Sequence, residues 1–364
     1  MSAAPLLQRS DFTGPVHKLS LRYWLNGPLK PKKGYQSGAQ GSTGMCYIRL
    51  LADPTSHLVS RGGLAWIEHP LVAPYPWLIH AFSTRRGGVS RSPAAGLNLG
   101  FTKGEPKVRV QRNRDLLFRQ LGAERFALAS LRQVHSTVVY QVGHAMEGEL
   151  EYRLPGNGPP GRTGLGQPEG DAMLTDQAGI LLSVRTADCL PLLLVDPKLR
   201  AVAAVHAGWR GALGRIIEKA VAEMRRVYGS EASSLLAVLG PSIRACCYEV
   251  GKDVEEAFRE SFQNASEFFR KPTRHPGSGP RHYSLSFVKM QPPGDRANPK
   301  PSAHLDLVAV ARDQLGGAGL APRHVAAVGF CTACHPDLFY SFRRDGNGTG
   351  RMAAVIGIRP ERLG

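Results

Sequence analysis

The sequence predicts an α+β protein, a mixed α/β layered body built as a single mixed-sheet domain. Two observations carry this expectation. Short apolar runs of strand length are interleaved with longer segments whose apolar residues recur every three to four positions. The two kinds do not alternate strictly as strand, helix, strand, which argues against a doubly wound sheet. No internal repeat is visible, so a solenoid or propeller is not expected.

Each element follows in order. WLIHAF (77–82) reads as a strand ending at the turn-like Arg86-Gly87-Gly88. Over 107–121, Val108, Leu116, Leu117 and Leu121 give helical spacing, closed by Gly122. ALASLRQVH and TVVYQV read as strands, and 147–170, with Gly156, Pro159, Pro160 and Gly161, as a loop. Three closely spaced strands follow at 179–186, 190–196 and 200–206. Leu213, Ile216, Ile217, Ala220, Val221 and Met224 make one apolar stripe on a helix over 212–228. Strands at 234–240, 324–330 and 351–358, and helices at 250–263 and 306–317, complete the reading.

The chain has 364 residues, 42% of them hydrophobic, which is enough for a sizeable core and excludes wholesale disorder. Its longest uncharged apolar runs (LPLLLV, AVAAV, GILLSV) fall far short of the roughly 18 residues of a membrane span. No apolar segment of signal-peptide type follows the N-terminus, so a secretory leader is not expected. The net charge is +17, which at first reading suggests a nucleic-acid partner. Its distribution argues otherwise. Residues 1–60 carry seven basic and two acidic side chains, and 270–303 seven basic and one acidic, so these two Pro/Gly/Ser-rich stretches hold eleven of the seventeen charges. They predict a basic, disordered N-terminal extension over 1–65 and a basic insertion at 270–303 within a catalytic body at 66–364. A transit peptide is the alternative reading of the extension, as is an internal start at Met45. Six cysteines in a chain of this length suggest a reducing, cytoplasmic setting, with thiols serving as ligands, nucleophiles or core residues.

Three polar residues end or interrupt apolar segments: His135 in LRQVHS, Cys189 in RTADCLP and His206 in AVAAVHAGWRG. Two imidazoles and a thiolate are a plausible three-ligand set for Zn²⁺ with an open fourth position. The same trio suits a cysteine nucleophile with a histidine base, or two hydrogen-bonded histidines beside a buried thiol. Spacing alone does not separate these readings.

The motifs around the trio add to this. FSTRRGGVS, LNLG, NRDLL, QVHS, DAMLTD, TADCLPLLLVDP, AVHAGWRG, LGPSI with CCYEVG, HLDL and FYSFRRDG run in order from about 79 to 358. In that combination the chain resembles the purine nucleoside phosphorylase family long called multicopper polyphenol oxidase or laccase-domain proteins. The resemblance implies an enzyme that cleaves adenosine, inosine and methylthioadenosine with phosphate to free base and a ribose 1-phosphate, with adenosine deamination as a further activity. It implies a metal and catalytic site at His135, Cys189 and His206, a cysteine-hydrolase-like fold shared with a bacterial toxin deamidase, and a monomer or homodimer. The expected metal is zinc, from the ligand set. Copper, suggested by the older name, lacks the clustered His-x-His pairs that multicopper sites use, and no His-x-His occurs in the sequence. The His-x-Glu and Pro-Cys-x-x-Cys signature of zinc deaminases is absent too.

Phosphorolysis needs cations for phosphate. Arg85 in the STR motif and Arg210 in GWRG are the anion-binding candidates, Arg210 also preceding the helix expected over 212–228. Asn98, Asp188 and Glu249 are candidates for substrate contact or ligand support, with capping and turn roles as the alternative. Cys331-Thr-Ala-Cys334-His335 matches a haem attachment string, but without an export signal it reads as packing, with a redox pair or structural zinc shared with Cys246 and Cys247 as alternatives. Two other functions stand beside the leading one. A cysteine amidohydrolase acting on a peptidoglycan precursor would use Cys189 as nucleophile, and a nucleic-acid-binding or scaffold protein would use the basic segments. No nucleic-acid motif occurs outside those segments.

Overall fold

The computed structural model describes residues 18–19, 56–145, 149–154, 161–162, 167–270 and 303–361. Nearly all of the basic extension, and the 270–303 insertion between Arg270 and Ala303, lie outside those residues.

Two mixed sheets stack face to face, with helices on both outer faces. The first has the order β1 (Lys18–Leu19), β2 (His57–Arg61), β3 (Leu64–Glu68), β4 (Leu78–Ser83), β18 (Met352–Ile358), β10 (Ile180–Thr186), β5 (Ala127–Ser130). The second runs β17 (Val325–Ala327), β13 (Leu236–Leu239), β11 (Leu190–Asp196), β12 (Ala201–Ala207), β9 (Ala172–Thr175), β6 (Val139–His144), β7 (Leu150–Arg153), β8 (Gly161–Arg162). Both sheets contain parallel pairs, β5 with β10 in the first, β13 with β17 and β6 with β9 in the second.

The side-chain alternation of strands sorts the core into layers. Along β11, Leu193 and Val195 face the first sheet, whereas Leu190, Leu192 and Leu194 face helices. The first sheet contributes Leu182, Val184 and Ile356 to the seam, and β12 contributes Val202 and Ala204. Outside the second sheet lie α3 (Ile216–Tyr228), α4 (Lys252–Ser261) and α5 (Leu307–Gly317), whose Ile217, Met224, Phe258, Val310 and Leu315 share one core cluster with that face. Outside the first lies α1 (Lys107–Leu121), docked through Leu117 and Leu121 on Ile79 and Val355. Strands buried on both faces are near-continuous apolar runs, which is why LPLLLV and AVAAV carry no alternation.

Several expected boundaries move. β2 and the start of β3 fall inside the stretch 1–65 expected as extension. β2 and β3 form a hairpin whose Gly62 and Gly63 have φ of +57° and +75°, as a two-residue primed turn requires. Only Val59 of β2 is buried, so the strand leaves little hydrophobic signal. The helix expected over 212–228 is two helices, α2 (Trp209–Leu213) and α3, separated at Gly214 and Arg215. Arg215 has φ of +63°, and a Cβ on Gly214 would stand 2.6 Å from Thr137 Cγ2, so the chain must bend there. LRQVHS leaves the sheet after Ser130 rather than extending the strand. The insertion departs from β15 (Phe269–Arg270) and returns at β16 (Ala303–Leu305), and these pair antiparallel beside β14 (Glu249–Val250). Its ends therefore meet at one point, where extra length costs little. Among the described residues, no helix is long and apolar enough to cross a membrane.

Candidate metal and catalytic site

Strand β12 carries Val202 and Ala204 on the seam side, and the same alternation puts His206 there at the strand's end. Cys189 sits one residue before β11, in the turn Ala187–Cys189 by which the chain crosses from the first sheet to the second. Asp188 shapes that turn with φ of +101°. Its buried carboxylate accepts from Thr332 Oγ1 at 2.6 Å and from the Arg343 N–H at 2.6 Å, and its carbonyl accepts from the Ile243 N–H at 2.8 Å. Burial, opposed by those donors, leaves the Asp188 carboxyl above its ordinary pKa. Asp188 thus positions its neighbour Cys189.

The three expected residues come together. Cys189 Sγ lies 3.6 Å from His135 Nε2, and the His135 and His206 rings meet edge-on with centroids 5.0 Å apart. One ligand atom from each of the three falls within 4.8 Å of the others. Gly208 leaves the necessary room, because a Cβ there would come within 2.5 Å of His135 Cδ2 and 3.1 Å of Cys189 Sγ.

Asp171, immediately before β9, organises both histidines and escaped the sequence reading. It is fully buried. Its Oδ1 lies 2.8 Å from His206 Nδ1 and accepts from the His135 N–H at 3.1 Å. Its Oδ2 accepts from the Ser136 N–H and hydroxyl at 2.6 and 2.7 Å and from the Val134 N–H at 3.3 Å. His135 itself has φ of +60°, so three successive N–H groups curl around one carboxylate as an anion nest. Burial would raise the Asp171 pKa, but His206 and the Ser136 donors outweigh it and hold it below the ordinary carboxylate range. The bond to Nδ1 leaves His206 Nε2 for the thiol side. The set fits a metal: two imidazoles and a thiol converge, one imidazole oriented by a carboxylate, as ligating histidines commonly are.

Without a metal, the surroundings favour a thiolate at Cys189 and an imidazolium at His206. Burial disfavours a Cys189 thiolate, yet His206 and His135 overcome it and bring the thiol down to about 6. Burial likewise disfavours imidazolium at His206, and Cys189 and Asp171 overcome that, raising it to about 9. The thiolate's contribution to stability is present above its unfolded pKa and is lost as pH falls through about 6. That of His206 is present below its unfolded pKa and is lost as pH rises through about 9, so the pair stabilises most between the two. Iodoacetamide alkylation of Cys189 in chelator-treated protein should show a midpoint near pH 6. A midpoint at an ordinary thiol pKa would contradict the pairing.

The other sequence candidates fall elsewhere. Arg85 donates to the Pro336 and Ala95 carbonyls at 3.1 and 3.2 Å and lies over the Tyr340 ring, bracing two loops. Asn98 is buried in a turn role, its Oδ1 accepting from the N–H groups of Gly100 and Arg351. Glu249 directs a half-exposed carboxylate toward His304 Nε2 at 3.7 Å. Arg210 is exposed, lies over the Trp209 ring at 4.4 Å, and belongs to α2 rather than preceding a long helix. Sequence reasoning missed Arg343 and Arg351. Arg351 feels the charges of Cys189 and Asp188, although burial dominates and lowers its pKa, and Arg185 stands close enough to repel it. Arg343 lies 5.3 Å from the centroid of the buried Tyr248 ring, and Tyr248 also feels Cys189 and Arg210. Among the described residues none of Arg185, Arg343 and Arg351 forms an ion pair.

Fold and site define a two-sheet α+β protein with one thiolate and two imidazoles gathered at the seam between its sheets. The chain belongs to the family described as multi-copper polyphenol oxidoreductase laccase, whose profile matches residues 79–359. Among curated relatives, it is 37% identical over 294 residues to a purine nucleoside phosphorylase of Deinococcus radiodurans, covering 81% of this chain and 94% of that one. It is 34% identical to adenosine deaminase RL5 from an unknown prokaryotic organism, covering 76% of this chain and 93% of that protein. Among solved structures it is similar to YlmD of Geobacillus stearothermophilus, with TM-score 0.63, 29% identity, and coverage of 83% of this chain and 98% of that one. A Bacillus licheniformis protein, YfiH, superposes with TM-score 0.65 at 26% identity, over 82% and 98% of the two chains.

Proposed function

We propose that the chain is a purine nucleoside phosphorylase that cleaves adenosine, inosine and methylthioadenosine with phosphate, at a zinc site formed by His135, Cys189 and His206. The observation that supports it most is the oriented ligand set: Asp171 fixes His206 through Nδ1 while its nest holds the His135 backbone. Zinc bound there would supply a Lewis acid for a substrate oxygen. In the reaction a phosphate oxygen forms a bond to C1′ of the ribose as the bond from C1′ to purine N9 breaks, and the purine leaves with that electron pair and takes a proton. This chain's part is to hold phosphate by cations and to keep the anomeric carbon within its reach. Among the described residues Arg351 and Arg343 have no carboxylate partner and feel the charges at Cys189 and Asp188, which favours them over Arg85 for the phosphate, although Arg351 also donates to the Thr349 and Gly350 carbonyls and Arg343 to that of Glu249. Arg210, exposed at Trp209, adds positive charge on the same side.

Product analysis tests the reading. Inosine with phosphate should give hypoxanthine and ribose 1-phosphate, and leaving out phosphate should stop base release. Inosine formed from adenosine without phosphate would establish the deaminase activity that one relative's name carries. The second reading, a cysteine amidohydrolase, draws on the Cys189, His206, Asp171 line, which resembles a nucleophile, base and orienting carboxylate. It predicts turnover of an amide with no need for phosphate. The arginine assignment has its own check. A hydrogen bond to a charged group contributes about 1.5–3 kcal/mol, so Arg351→Met should raise KM for phosphate about 10- to 100-fold. KM for inosine should change far less. Equal rises in both would place Arg351 outside the phosphate site.

A further inference from the structure

We propose that Cys246, Cys247, Cys331 and Cys334 form a second metal centre, a four-thiolate site for a thiophilic cation such as Zn²⁺, separate from the site at His135, Cys189 and His206. Two turns build it. Cys246 and Cys247 lie on a turn in which the Cys247 and Tyr248 N–H groups both donate to the Arg244 carbonyl, at 2.8 and 2.9 Å. Successive side chains on a helix-like turn are about 100° apart rather than on opposite faces, so two adjacent cysteines can serve one point. Cys331 and Cys334 stand three apart on a facing turn, the spacing that brings side chains to one side. An isolated parallel bridge between Ser242 and Cys331 joins the two turns, with the Thr332 N–H donating to the Ser242 carbonyl at 3.0 Å. Arg344 closes over the second turn, donating to the carbonyls of Thr332 and Ala333.

The four sulfur atoms all lie within 4.8 Å of one another, and Cys334 Sγ is 3.6 Å from that of Cys246 and 3.4 Å from that of Cys247. Tetrahedral zinc with bonds of about 2.3 Å places its sulfurs about 3.8 Å apart. A disulfide would hold them at about 2.05 Å. The observed spacing is that of ligands around a common centre. Packing does not account for it, because Cys246 and Cys334 are exposed and only Cys331 is buried. Four sulfur donors favour a thiophilic cation over magnesium or calcium, and the exposed pair gives the ion a way in. The centre would also brace the catalytic turn. Thr332, between the two ligands of the second turn, donates to Asp188 at 2.6 Å, and Tyr248 follows Cys247 directly.

Metal counting tests this without any reference to nucleoside turnover, so it stands or falls apart from the proposed activity. The full chain, purified under reductant, stripped and reloaded with Zn²⁺ alone, should hold two equivalents by mass spectrometry of the metal. Cys246→Ser/Cys334→Ser should hold one, Cys189→Ala should hold one, and the three changes together none. With Co²⁺ instead, Cys189→Ala should keep intense thiolate-to-metal charge-transfer absorption, and Cys246→Ser/Cys334→Ser should lose most of it. A Cys189→Ala chain that holds no zinc and shows no thiolate-to-Co²⁺ absorption would overturn the proposal, as would a Cys246→Ser/Cys334→Ser chain that holds as much zinc as the wild type. So would free reaction of all four thiols with a maleimide in zinc-loaded protein, or a disulfide among them in protein kept under reductant.

Discussion

Cys189→Ala should lower kcat/KM for inosine phosphorolysis by more than about 100-fold and remove the metal from the site at the sheet seam. The size follows from rank. Partners that only orient a ligand already cost about 10- to 100-fold in metal affinity or activity when removed, and Cys189 is itself a ligand in the proposed site. Alanine leaves His135 and His206 with one anion fewer, and of the two groups that raise His206 to about 9 only Asp171 remains. His206 should then titrate at a lower pH, which NMR of the ring protons would show in stripped protein. Cys189→Ser separates size from chemistry, since a hydroxyl fills the space but stays protonated and binds zinc poorly. Phosphorolysis at wild-type rate in either variant would refute the scheme. The fold should tolerate the change, because the turn carrying Cys189 is held by Asp188, Thr332 and Arg343 rather than by the sulfur.

Much of this site was legible in the sequence, and what was not has physical reasons. His135, Cys189 and His206 stand where apolar segments end, and a polar group at a strand end points to a cleft. The two-sheet stacking was hidden because β10 and β11, adjacent in sequence and both buried over nearly all their length, belong to different sheets. Burial on both faces erases the alternation that would have told their sides apart. Yet the crossing between them is the turn that delivers Cys189 to the seam. Asp171 and Arg351 were hidden for a related reason. Each directly precedes a buried strand, where a charge reads as the solvated edge of the run. Only long-range pairing shows that one strand begins beneath two histidines and the other beside a thiol. Arg85 and Arg210 drew attention as motif residues, but one guanidinium is committed to carbonyls and the other lies over an indole.

Asp171→Asn should be nearly as damaging as losing a ligand, though it keeps the side chain's shape. The carboxylate accepts on both oxygens: Oδ1 faces His206 Nδ1 and the His135 N–H, and Oδ2 faces Val134 and Ser136. An amide has only one acceptor oxygen, so its NH₂ must face donors on one side or the other. With the NH₂ toward Ser136 the nest opens and the His135 ring is free to swing from Cys189. With the NH₂ toward His206, Nδ1 must become an acceptor, which puts the ring proton on Nε2 and removes that lone pair from the metal. Either way zinc affinity should fall about 10- to 100-fold, measurable by competition with a chromophoric chelator. Leaving buried donors unpaired should also cost about 1–3 kcal/mol of stability. The acid side of the stability profile separates the two roles. Because the Asp171 pKa is depressed in the fold, its contribution is present above the unfolded value and disappears as pH falls through the folded one. The asparagine variant should therefore show a smaller acid-induced drop in Tm than the wild type. A variant with lower Tm but unchanged zinc affinity would make Asp171 a scaffold alone, and the orientation of His206 would then need another source.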